Sequence, residues 1–278
     1  MALAPLSPFP STRPFLLLNP NPKPLIRTWR GARYRDRAPS KAISLVPRRT
    51  PTEPATATFL SSGRSGRPTA AIPAAQISGE TVQSNAEKWS KTAMLVIDMQ
   101  NDFILPESPM CVAGGQAIVP SVIQAISVAR ERGIFVIWVV REHDPLGRDV
   151  ELFRRHLYTD GKGPATNGSK GADLVDGLLI KEGDYKLVKT RFSAFCATQL
   201  HSLLQTSGVK SLVVVGVQTP NCIRQTVFDA VSLDYQSVTV IVDATAAATP
   251  EIHLGNIRDM KNIGVAIPTL QEWCSLDA

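Results

Sequence analysis

Two uninterrupted apolar runs, each ending abruptly on a charged residue, constrain this chain more than any other feature. Thr92-Ala93-Met94-Leu95-Val96-Ile97 stops at Asp98, and Ile134-Phe135-Val136-Ile137-Trp138-Val139-Val140 stops at Arg141. Short apolar runs without alternation read as strands covered on both faces. Tyr185–Val188 ending at Lys189, Leu212–Val215, Val238–Val242 and Val265–Ile267 follow as further strands. Helical patterns lie between them. One covers 118–132, with apolar residues at 119, 122, 123, 126 and 129 on one face and Gly133 placed to end it. Others cover 197–206 and 250–261, and one opens at Thr219-Pro220-Asn221-Cys222 with Ile223, Val227, Ala230 and Val231 inward. Strands alternating with amphipathic helices predict an α/β fold, a parallel sheet of about six strands with helices on both faces. Strand order does not follow from the pattern.

The first eighty residues have a different character. Residues 1–79 carry twelve Lys/Arg against two Asp/Glu, and the remainder eighteen against twenty-two. The pI of about 9.3 is therefore a property of the tail, and no nucleic-acid partner is inferred from it. Thirteen of the twenty-one prolines lie in the tail, and no apolar period repeats there. Such a segment buries too little to offset the entropy of ordering it. Residues 1–80 are thus expected to be a disordered N-terminal extension, and 90–275 a single well-packed domain. Basic, hydroxylated and acid-poor is the composition of an organelle transit peptide. Its prolines favour the chloroplast stroma over the mitochondrion or cytoplasm. The plain alternative is an extension without an address. Phe15-Leu16-Leu17-Leu18 is too short to span a bilayer, so no membrane partner is expected. Cys111, Cys196, Cys222 and Cys274 form no CxxC pair, which fits a reducing compartment.

Parallel α/β sheets place their sites beyond the carboxyl ends of the strands. Asp98, Lys189 and Cys222 stand at such ends or in the loop after one. A carboxylate can accept a thiol proton, while an ammonium orients the carboxylate and favours the thiolate. Thr219 can cap a helix whose first position suits Pro220, and Cys222 then sits in its first turn, where the macrodipole favours negative charge. The N–H groups of Gln218 and Cys222 are candidates for an oxyanion hole. The plain readings are a buried apolar cysteine, a turn aspartate and a solvated lysine.

Three strings decide between these readings. Leu95-Val96-Ile97-Asp98-Met99-Gln100-Asn101-Asp102-Phe103 resembles the opening strand and loop of the isochorismatase-like hydrolases. Val188-Lys189-Thr190-Arg191-Phe192-Ser193-Ala194-Phe195 resembles their lysine segment, and Gly216-Val217-Gln218-Thr219-Pro220-Asn221-Cys222-Ile223-Arg224-Gln225-Thr226 their nucleophile turn. The three occur in family order, over about 92–273. The resemblance implies the Rossmann-like isochorismatase fold, a triad of Asp98, Lys189 and Cys222, and a non-proline cis bond at Val217–Gln218. It implies a pocket lined by Phe103, with Arg191, Phe192 and Asn221 as neighbours, and a homo-oligomer, dimer or tetramer.

The resemblance also has gaps. Nicotinamidases of the superfamily carry a metal-binding Asp-x-His and a further His after the second strand. Here the text reads Arg141-Glu142-His143-Asp144, so no metal is expected from His143, Asp144 and His156. True isochorismatases lack the nucleophilic cysteine. The Cys-Ile-Arg-x-Thr run is closer to the amide-cleaving branch that includes N-carbamoylsarcosine amidase. The expected activity is cysteine-dependent hydrolysis of a small amide or ureido compound through a thioester. Arg141, Arg191 and Arg224 are available to hold a carboxylate. No Gly-rich phosphate loop follows the first strand, so no organic cofactor is implied. The alternatives are a catalytically silent binding member of the fold, or a nicotinamidase. Substrate, oligomer size and the transit cleavage point lie beyond the sequence.

Overall fold

The computed structural model describes residues 85–277, which fall in the second of the chain's two units, Pro68–Ala278. The expectations for the tail, 1–80, lie outside the described residues. Five parallel strands form one sheet: β1 (Thr92–Ile97), β2 (Phe135–Arg141), β3 (Tyr185–Lys189), β4 (Ser211–Val217) and β5 (Ser237–Ala246), in the order β3-β2-β1-β4-β5. The sixth segment expected at 265–267 joins only through one parallel bridge, Thr239 to Ala266. Gly264, at φ 88, turns the chain just before it.

The apolar runs are buried because both faces of the sheet are covered. Met94, Val96, Val136, Trp138, Val213 and Val215 point to one side, against α2 (Val119–Glu131) and α6 (Leu270–Cys274). Leu95, Ile97, Ile137, Val139, Leu187 and Val214 point to the other, against α3 (Leu200–Thr206), α4 (Arg224–Ser232) and α5 (Pro250–Asn262). The strand period of two therefore feeds two separate cores. A short helix, α1 (Asn101–Ile104), follows β1. Gly133 ends α2 at φ 71, as its place in the pattern predicts. β3 is the sheet edge, with Leu187 buried and Val188 exposed.

β1 and β4, central neighbours, carry the site between them. Ile97 pairs with Gly216, whose φ of 112 suits glycine alone, and a Cβ there would collide with the Ile97 carbonyl oxygen. The Val217–Gln218 peptide is cis, as the resemblance implies.

Residues 142–182 form a long arm whose regular structure is one 3₁₀ turn, Leu152–Leu157. Side chains directly after β1 hold it down. Gln100 is fully buried; its amide nitrogen donates to the carbonyls of Arg141 (2.7 Å) and Ala172 (2.8 Å), and its oxygen accepts from the Arg141 N–H (2.7 Å). Asn101 donates to the Lys170 carbonyl (2.7 Å), and Asp102 accepts from the Ala165 N–H (2.6 Å).

Candidate active site

Asp98, Lys189 and Cys222 meet at the carboxyl ends of β1, β3 and β4. Asp98 leaves β1 with φ 52, a conformation that aspartate tolerates better than most residues. Its N–H donates to the Val139 carbonyl (2.9 Å), which fixes the turn against β2. Lys189 donates from Nζ to Asp98 Oδ2 (2.8 Å), to the Arg191 carbonyl (3.3 Å) and to Cys222 Sγ (3.4 Å). All three residues are 4% exposed or less. Asp98 Oδ1 is buried without a hydrogen-bond partner among the described residues, an acceptor left open on a carboxylate beside a thiol.

The nucleophile turn departs from the helix expected there. Thr219–Ile223 is a π-helical turn, closed by the Ile223 N–H on the Gln218 carbonyl (3.3 Å), and α4 starts only at Arg224. Thr219 does not cap it. Its hydroxyl pairs with His253 Nδ1 (2.9 Å), a partner on α5 that local sequence does not show. Thr226 holds the turn from the next coil of helix. Its hydroxyl donates to the Cys222 carbonyl (2.7 Å) and accepts from the Ala194 N–H (2.9 Å), tying the nucleophile turn to the lysine segment.

The expected bias toward thiolate is overturned. Burial, then the Asp98 charge, push the Cys222 thiol above its ordinary range, and Lys189 and Arg141 offset only part of this.

Arg141, from the end of β2, reaches the triad. Its guanidinium lies 3.8 Å from Cys222 Sγ and 3.8 Å from Asp98 Oδ2, and it pairs with Glu151 at 3.1 Å. Burial works against its charge, but Cys222, Asp98 and Glu151 hold its pKa above the ordinary value. Its Nη1 lies 3.3 Å from His143 Nε2. A guanidinium can only donate, so Nε2 accepts, and Nδ1–H faces Asp149 at 3.3 Å. Burial, then Arg141, push the His143 pKa down, so this ring is neutral.

A metal does not fit these residues. Both nitrogens of His143 are engaged, with a guanidinium where a cation would sit, and Asp144 is paired with Arg148. His156 is exposed on the arm, and no group of three potential ligands gathers among the described residues.

The other expected residues divide. Phe103 is buried and lines a small closed cavity beside Arg141, His143 and Tyr158. Phe192 lies under the guanidinium of Arg141, 5.5 Å from it. Asn221 is half-buried in the π turn. Arg191 is spent on the carbonyls of Asp149 and Thr190 (2.9 Å for the latter), and Arg224 pairs at the surface with Asp259 (3.5 Å). Of the three arginines read as carboxylate holders, only Arg141 faces the site. The sequence reading missed Arg154, which the 3₁₀ turn aims inward, and Glu151, which pairs with Arg141. The cavity has room for about 10 Å³, a single water, and the Leu152–Tyr158 stretch supplies Arg154, Leu157 and Tyr158 to its wall.

The comparisons agree with the fold. A family model described as an isochorismatase domain matches residues 92–272. An Arabidopsis thaliana protein described as a probable inactive nicotinamidase is 70% identical over 190 residues, 68% of this chain and 97% of the relative. The crystal structure of an isochorismatase family protein from Desulfovibrio vulgaris is 44% identical with a TM-score of 0.65, covering 66% of this chain and 96% of its own. That of N-carbamoylsarcosine amidase from Thermoplasma acidophilum is 25% identical with a TM-score of 0.55, covering 65% and 96%.

Proposed function

The chain belongs to the isochorismatase family, and from that premise we propose that it hydrolyses a small amide or ureido compound through a thioester on Cys222. One observation carries the reading: the Lys189 ammonium bridges Asp98 and Cys222 at 2.8 and 3.4 Å, while the second oxygen of Asp98 has no other claim on it. Asp98 takes the thiol proton as sulfur attacks the carbonyl carbon. The N–H groups of Gln218 and Cys222 receive the oxyanion. Collapse breaks the C–N bond, and the proton held by Asp98 leaves with ammonia or an amine. Asp98 then accepts a proton from the water that hydrolyses the thioester. Lys189 holds Asp98 in place, and its charge steadies the thiolate as it forms.

Cys222→Ala is expected to lower ammonia release from an accepted amide by at least about 10⁴-fold. Mass spectrometry of quenched wild-type protein is expected to find an acyl group on Cys222. Turnover that survives the substitution would exclude the thioester route.

A silent binding role is the second reading. The raised thiol and the inactive label of the Arabidopsis relative favour it, and wild type that binds amides without releasing ammonia would establish it. Nicotinamide is not favoured as a substrate, since the residues after β2 do not suit a metal.

Two further proposals rest on sequence and resemblance. The 1–80 segment addresses the chain to the chloroplast, tested by fusing it to a fluorescent reporter. The folded domain assembles as a dimer or tetramer, tested by light scattering.

A further inference from the structure

The proposed chemistry gives Arg154 no task. Its neighbours in the 3₁₀ turn, Leu152, Phe153 and Arg155, are exposed, yet Arg154 turns inward and is 8% exposed. Its Nε is buried without a hydrogen-bond partner among the described residues, and its nearest ion-pair contact, Glu151, is 3.9 Å away. It lies over the Phe192 ring at 5.1 Å, the ring that Arg141 also approaches at 5.5 Å. Both border the cavity beside the triad, and Arg141 Nε is likewise without a hydrogen bond.

Charge makes the same point. Three cations, Lys189, Arg141 and Arg154, crowd around two acidic side chains, Asp98 and Glu151. Asp98 is shared by Lys189 and Arg141, and Glu151 is committed chiefly to Arg141. A buried guanidinium with an open donor is costly unless an anion completes it. The rest of the cavity wall includes Phe103, Met110 and Leu157, which offer an anion nothing.

We propose that Arg154 anchors a carboxylate of the substrate, which makes the substrate a short amide acid rather than a neutral amide. The amide identity rests on the hydrolase reading; the anion site does not.

Calorimetry on full-length Cys222→Ala protein separates the two claims. Three matched pairs serve as probes: malonamate and malonamide, succinamate and succinamide, glutaramate and glutaramide. At least one acid is expected to bind about tenfold or more tighter than its neutral diamide. Arg154→Gln is expected to erase that preference without weakening the diamide, and Arg154→Lys to keep part of it. Equal affinities across all three pairs, or a preference that survives Arg154→Gln, would overturn the anchor. The acid preference with Arg154 in place decides even if a variant melts. Acid preference without ammonia release by wild type would keep the anchor and remove the hydrolase.

Discussion

The carboxyl edge of the sheet and the arm over it are built on different principles. At the edge, backbone ladders through buried strands place Asp98, Lys189 and Cys222, and each side chain's position follows from where an apolar run stops. The arm has almost no backbone ladder of its own. It is held by the side chains of Gln100, Asn101 and Asp102, which reach from the start of α1 to carbonyls and an N–H on 165–172, and by a few backbone bonds from the same stretch to 171–175. The proposed chemistry sits on the laddered edge, and the proposed anion anchor on the arm.

If that division holds, damage to the edge should stop catalysis and damage to the arm should alter recognition. Among changes that spare Cys222, Asp98→Asn should have the largest effect on rate, a fall in kcat of about 10²–10⁴-fold at unchanged fold. The same substitution removes a negative charge that holds the thiol up and leaves Lys189 and Arg141, which pull it down. The pH profile of Cys222 alkylation by iodoacetamide should therefore move to lower pH while turnover collapses. A profile that moves upward would show that Asp98 does not govern the thiol.

Gly216→Ala comes next and tests the frame. The new methyl meets the Ile97 backbone at a positive φ, so neither neighbour can yield cheaply. Loss of about 3 kcal/mol or more in urea unfolding is expected. A near-neutral result would mean that β1 and β4 are looser at the site than their register implies.

Asp102→Ala tests the arm. It leaves the Ala165 N–H without its acceptor, at a cost of about 1–3 kcal/mol felt locally. Faster hydrogen exchange around 158–166 and a raised KM are expected, with kcat little changed. An equal loss in kcat would show that arm and edge act as one unit.

Arg224→Ala should do least. Its partner Asp259 is exposed, and such pairs contribute about 0–1 kcal/mol. A changed KM would restore it to the site from which its surface position removes it.

This division also explains what could be read in the sequence. Uninterrupted apolar runs announce strands buried on both faces, and their ends announce the triad, because in a parallel sheet the two are one fact. Family resemblance added the cis peptide. Arg154 was illegible because nothing in Leu-Phe-Arg-Arg-His-Leu says which of two adjacent arginines turns inward; packing against Phe192 decides it. Thr219 reads as a cap until α5 brings His253 to its hydroxyl. Lys189 and the helix start suggested a thiolate, but the depth of Cys222 outweighs both, and depth is a property of the whole fold.

That depth has a consequence for chemical durability. Peroxide attacks exposed thiolates, and Cys222 is 4% exposed, with burial pushing its thiol pKa up. Of the four free cysteines, Cys196 is the one open to solvent. On exposure, Cys196 is expected to meet a dissolved oxidant before Cys222 does.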